Sequence, residues 1–197
     1  MIIIGLTGGI AMGKTTAARF YRSAHIPVFD ADATVRRLQS PNGRAIPALR
    51  AAFPSAVGPA GVDRGLLRRL VLSDPAKLSR LEAIIHPLVR AAERSFLARA
   101  RRAGAAICVL DIPLLYETGA DRRVDLVVTV SAPASVQRQR LRHQRKLNDE
   151  EIAAILKRQA PDRLRTRRAD LVVRTGLSRY HALQSLKRHL ARLRPED

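Results

Sequence analysis

At 197 residues, 46% of them hydrophobic, the chain is long enough to bury one substantial core, and its length calls for one domain with room for small inserted subdomains. A single cysteine, Cys108, excludes intramolecular disulfides and cysteine-based metal sites, and Asp111 interrupts the longest apolar run before it could span a bilayer, so a soluble, cytoplasmic protein is expected. The net charge of +19 is a footprint of nucleic-acid binding, but the basic residues are spread along the chain and four phenylalanines and three tyrosines offer few platforms for stacked bases; a surface that meets phosphates or solvent is preferred.

The first element is the β-branched run Ile2-Ile3-Ile4, which reads as a strand. It leads into Gly8-Gly9-Ile10-Ala11-Met12-Gly13-Lys14-Thr15, which fits G-x-x-x-x-G-K-[ST], and then into a helix over Thr16 to Tyr21. In a strand–loop–helix of this kind, successive backbone N–H groups and the positive end of the helix face one concavity that suits polyphosphate. Gly9, Ala11, Met12, Gly13, Lys14, Thr15 and Thr16 are therefore expected to line a nucleotide's phosphates. Lys14 would reach the β- and γ-phosphates, and the Thr15 hydroxyl would ligate Mg2+. A glycine-rich turn with a merely solvated lysine is the bland alternative, and the correct flanks on both sides weigh against it. Ala11 stands where such loops often carry glycine, which demands φ below zero or a small strain cost.

Ile26 to Asp32 reads as a short strand ending in two carboxylates. Residues i and i+2 of a strand share a face, so Asp30 and Asp32 are expected to look together into the crevice where open α/β sheets bind ligands. Asp32 could equally cap the helix beginning near Ala33. From 40 to 62, Pro41, Asn42, Gly43, Pro47, Pro54, Gly58, Pro59 and Gly61 mark turns between short helical pieces. Asp63 then caps a helix carrying Leu66, Leu67 and Leu70. Asp74-Pro75 starts another, with Leu78, Leu81 and Ile85 inward; it is expected to stop at His86 because Pro87 biases its predecessor away from helical dihedrals, a third helix running on to Gly104. A histidine at such a break reads first as a cap or a packed ring.

Ala106 to Asp111 is an apolar run closed by a carboxylate, the form of a buried parallel strand with a Walker-B-type aspartate. Asp111 is expected to hold Mg2+ with Thr15, and Glu117 is a second candidate carboxylate on the turn that follows. Strands at Val124 to Val130 and Leu171 to Val173 complete an alternation of strands and helices, which predicts a doubly wound, five-stranded parallel α/β sheet. Between those strands lies an arginine-rich helix pair: Gln137, Arg140 and Gln144 share one stripe, Arg138, Arg142 and Arg145 another, and Asn148 with Glu151 makes a capping box. An arginine arm there could close over phosphates, although a solvated face suffices for most of these arginines.

Taken in order, these residues resemble the dephospho-CoA kinase family over nearly the whole chain. The marks are Gly5-Leu6-Thr7-Gly8-Gly9-Ile10, Asp30-Ala31-Asp32 with Arg36, Leu81 to Pro87, Leu110 to Glu117, Gln137 with Arg140, Gln159, and Ala169-Asp170. The resemblance implies a P-loop NTPase fold, ATP with Mg2+, and phosphorylation of the 3′-hydroxyl of dephospho-CoA. It implies a core of about 1–36, 105–136 and 169–197, a helical substrate-binding insertion of about 37–104 and a lid of about 137–168. It also implies that Lys14 and Arg140 bind the transferring phosphates, that Asp32 is the base, and that Arg36, His86, Pro113, Leu114 and Glu117 belong to the acceptor side. Against the family pattern, Gln144 stands where a second lid arginine is expected, with Arg142 or Arg145 as substitutes, and Val173 to Gly176 is shorter than the usual asparagine-bearing turn near the adenine. A nucleoside or nucleotide kinase shares the ATP half of such a site, and a nucleic-acid-binding P-loop protein would share the loop and the charge.

Overall fold

The structure is a computed structural model that describes residues 1–72, 74–145, 152, 156 and 161–193. Contacts divide the chain into two compact units, Met1–Phe29 with Ala100–Asp197, and Asp30–Arg99. The first unit holds a sheet whose strands are β1 (Ile2–Gly8), β2 (Val28–Asp30), β5 (Ile107–Asp111), β6 (Leu126–Ser131) and β7 (Leu171–Arg174), in the order β2-β5-β1-β6-β7. The β5–β1, β1–β6 and β6–β7 pairs are parallel, and β2 joins through Val109 N–H to the Pro27 carbonyl at 2.9 Å. Helices α1 (Lys14–Ser23), α6 (Ala134–Arg145), α7 (Asp162–Arg167) and α8 (Arg179–Leu193) belong to the same unit. A central parallel strand is covered on both faces, which is why Ile4 and Leu6 of β1 and Val109 of β5 are fully buried without polar alternation. The core continues through Ala17, Ala18 and Tyr21 of α1 and Ala182 and Leu186 of α8.

The second unit contains α2 (Ala31–Leu38), α3 (Ile46–Ala52), the two-residue hairpin strands β3 (Val57–Gly58) and β4 (Gly61–Val62), α4 (Arg64–Leu72) and most of α5 (Pro75–Arg102). Its own core gathers Leu38, Leu49, Phe53, Leu67, Val71 and Ile85. Asp63 accepts from Leu66 N–H at 2.9 Å, and Asp74 from Ala76 and Lys77 N–H at 3.0 and 3.1 Å, so both expected caps are made. Those backbone bonds and Lys77 hold the Asp74 carboxyl below its ordinary range.

Two expectations from the sequence are corrected here. Strand β2 ends at Asp30 and the helix begins at once, so Asp32 is not part of a strand and the shared-face argument for the two carboxylates does not apply. The helix of the second unit does not stop at His86: α5 runs unbroken through Pro87. Leu81, Ile84 and Ile85 before the proline and Leu88 and Val89 after it pack on the same core, and this two-sided burial outweighs the lost N–H and ring clash, which cost about 3 kcal/mol in a helix interior. Pro87→Ala is accordingly expected to raise stability by about 1–3 kcal/mol in denaturant unfolding. A lower midpoint would show that the ring fixes this backbone.

Candidate active site

The phosphate half of the site is built where β1 hands over to α1. Gly13 is the N-cap of α1 at φ 96°, a left-handed backbone that only glycine adopts freely. Ala11 also lies at positive φ, 58°, so the strained of its two options is the one taken, at about 1–2 kcal/mol. Ala11→Gly should leave stability unchanged or raise it by up to about 1 kcal/mol, because relief of the strain offsets the greater freedom of the unfolded chain. A clear loss of stability in denaturant unfolding would contradict this.

Lys14 Nζ lies 2.5 Å from Asp111 Oδ1, with side chains 19% and 7% exposed. The β1–β5 register, which pairs Leu6 with Asp111, brings the strand-end carboxylate beside the loop. Thr15 is exposed in the first turn of α1, and Thr16 N–H bonds back to Gly13 O at 3.0 Å. No group of three or more His, Cys, Asp or Glu side chains able to hold a metal exists among the described residues.

Beyond β5, the Pro113 carbonyl accepts from the Thr7 hydroxyl at 2.9 Å, which ties this turn to β1. Leu114 and Glu117 are exposed, whereas Leu115 is fully buried. Tyr116 lies under the Arg168 guanidinium, 4.5 Å from its ring centroid, and burial pushes its hydroxyl above the ordinary range.

Gln137 and Arg140 of α6 both reach the loop. Gln137 Nε2 donates to Ile10 O at 2.9 Å, and Arg140 donates to Ala11 O at 3.2 Å, Thr175 Oγ1 at 3.1 Å and Thr175 O at 2.6 Å. Of the remaining arm, Arg138 and Arg142 are exposed and Ile152 is fully buried. Asn148, Glu151, Ile155, Gln159 and the side chains of Gln144 and Arg145 lie outside the described residues. A cavity of about 540 Å³ opens beside the loop, lined by Met12, Ser131, Pro133, Gln137, Gly176 and Leu177 among others.

Of the acceptor-side candidates, Asp32, Arg36 and His86 belong to the second unit, and Pro113, Leu114 and Glu117 to the first. Asp30 accepts from Ala33 N–H at 2.8 Å and so caps α2; Asp32 is exposed in the first turn, with Arg36 one turn further along the same face. The capping alternative for Asp32 is thereby taken over by Asp30. His86 is exposed on α5 rather than at a helix end.

Three residues in the phosphate half were not singled out by sequence. Thr175 donates to Met12 O at 2.7 Å. Arg165, a residue that a solvated helix face would have explained, is only 4% exposed, and a Cβ on Gly9 would stand 2.9 Å from its Nη2. Asp162 faces it at 3.5 Å and takes the Ser131 hydroxyl at 2.5 Å. A buried guanidinium is costly unless paired, and the Asp162 carboxylate is that partner.

The family model for dephospho-CoA kinase matches residues 2–178. The chain belongs to the dephospho-CoA kinase family. It is 53% identical to the dephospho-CoA kinase of Mesorhizobium japonicum over 176 residues, 89% of this chain and 88% of that protein. It is 48% identical to the dephospho-CoA kinase of Gluconobacter oxydans over 198 residues, 98% of each. The crystal structure of TT1252 from Thermus thermophilus superposes with a TM-score of 0.85 at 37% identity, covering 98% of both chains. As a dephospho-CoA kinase family member the protein is an ATP-dependent phosphotransferase, and the P-loop α/β fold expected from sequence is the fold observed. Among the described residues no helix is long and apolar enough to cross a membrane.

Proposed function

We propose that this chain transfers the γ-phosphoryl group of ATP to the 3′-hydroxyl of dephospho-CoA, giving coenzyme A and ADP. The observation that carries this is the loop between β1 and α1, where Lys14 meets Asp111 and three side chains from elsewhere hold the backbone. The N–H groups from Gly9 to Thr15, apart from that of Met12, which closes the turn onto Gly9 O, bind the phosphates, and Lys14 neutralises charge on the transferring group. The cavity beside the loop has the volume of a nucleoside site and takes the adenosine end, with Gly176 and Leu177 on its wall in place of an asparagine-bearing turn.

The donor set fits Mg2+. Thr15 and Asp111 supply a hydroxyl and a carboxylate, too few for an all-protein cage but right for an ion that keeps its waters and binds mainly through phosphate oxygens. When bound there, it would neutralise developing charge on the phosphates. On the acceptor side Asp32 accepts the proton of the 3′-hydroxyl as the bond to phosphorus forms. Arg36, His86 and the turn carrying Pro113, Leu114 and Glu117 hold the rest of dephospho-CoA.

Arg140 spends its donors on the loop and on Thr175, so its charge serves the phosphates through the shape of the loop as well as directly. Arg140→Ala should lower kcat by roughly 10-fold or more and also raise the KM for ATP. A raised KM with unchanged kcat would make Arg140 a uniform binding group. The reading as a whole is tested by ATP consumption with and without dephospho-CoA: turnover that does not depend on the acceptor contradicts it.

A further inference from the structure

Three consecutive carbonyls of the phosphate loop are each held by a side chain from far along the chain: Ile10 O by Gln137, Ala11 O by Arg140 and Met12 O by Thr175. A trans peptide is planar, with its C=O and N–H on opposite sides, so anchoring the carbonyls of Ile10 and Met12 aims the N–H groups of Ala11 and Gly13 the other way. The peptide between them closes the turn, Met12 N–H bonding to Gly9 O at 3.1 Å. This clamp answers the strain at Ala11, because a left-handed alanine persists only where its surroundings over-determine it.

Thr175 is the centre of the clamp. Its hydroxyl donates to Met12 O and accepts from Arg140, its carbonyl takes a second Arg140 bond, and its own N–H donates to Ser131 O at 2.8 Å. A Cβ on Gly13 would touch its side chain at 3.2 Å. Its chain neighbours Arg174 and Gly176 line the cavity, as do Ser131 and Leu177. One threonine thus bonds the wall of the nucleoside cavity to the backbone that presents amides to phosphate.

We propose that Thr175 is a positioning residue that couples base binding to phosphate binding: occupation of the cavity fixes the turn, the turn fixes Met12 O, and the loop amides are set for the phosphates. The proposal rests on the reading that this cavity and loop together take ATP. By reciprocity the coupling runs both ways, and adenosine and inorganic tripolyphosphate, which together cover the two halves of the nucleotide, should each tighten the other.

The test is calorimetric titration of each probe alone and in the presence of the other, on the wild-type chain and on Thr175→Ser, Thr175→Val and Thr175→Ala. In the wild type, saturating adenosine should tighten tripolyphosphate by about fivefold or more, a typical allosteric factor. Thr175→Ser, which keeps the hydroxyl, should retain that factor. Thr175→Val and Thr175→Ala should reduce it to within about twofold of unity and weaken tripolyphosphate alone by about three- to tenfold, the worth of one hydrogen bond. Full coupling in either hydroxyl-free variant, its loss in Thr175→Ser, or a wild type that binds both probes independently would overturn the proposal. A wild type that binds neither probe, or tripolyphosphate binding indifferent to Lys14→Ala, would overturn the ATP reading instead.

Discussion

Asp32→Asn should lower kcat by roughly 10² to 10⁴ with ATP affinity preserved, the span that a positioned general base supplies. A ribose hydroxyl is a weak nucleophile, and asparagine matches aspartate in size but cannot take its proton. The fold makes this substitution a cleaner probe than the sequence promised. Capping of α2 falls to Asp30, whose carboxylate holds Ala33 N–H, while Asp32 stands exposed in the first turn. The thermal midpoint should therefore barely move. Asp30→Asn keeps a competent cap and should be mild, whereas Asp30→Ala loses about 1 kcal/mol of stability. Normal turnover in Asp32→Asn together with a dead Asp30→Asn would reverse the assignment of the base.

Lys14→Ala should cost on the order of 10² to 10³ in turnover, the price of one charge contact made in the transition state. It is not silent toward the fold, as a fully exposed lysine would be, because Lys14 pairs with a carboxylate that is only 7% exposed. Removing the ammonium strips Asp111 of a charged partner and should destabilise by about 1–3 kcal/mol. The double variant Lys14→Ala with Asp111→Asn should recover much of that stability and none of the turnover. Near-normal turnover of the single variant would mean that the loop does not position phosphate as proposed.

What could be read in the sequence was what neighbours in the chain decide. Ile2 to Thr16 declares strand, loop and helix in fifteen residues, and Asp63 and Asp74 announce their caps by chemistry that acts across three positions. The end of the strand at Ile26 is not legible locally because Asp30 offers the same carboxylate to a cap as to a crevice, and only the bond to Ala33 decides between them. Pro87 shows only its local bias in sequence, whereas the packing of Leu81 and Val89 on one core settles the helix. Gln137 shows in sequence only as a position on the Arg140 stripe, and Arg165 and Thr175 carry no local signal at all, since their meaning comes from loop residues more than a hundred positions away. The turn at Thr175 looked merely short in sequence; in the fold its hydroxyl anchors Met12.

The central claim is most directly tested by incubating the purified chain with ATP, Mg2+ and a panel of acceptors containing dephospho-CoA, nucleosides and nucleoside monophosphates, followed by mass analysis and mapping of the phosphorylated hydroxyl. The account predicts gain of one phosphoryl group on dephospho-CoA alone, at the ribose 3′-oxygen, with ADP formed in equal amount. Phosphorylation of a nucleoside or nucleotide while dephospho-CoA stays unchanged would contradict it.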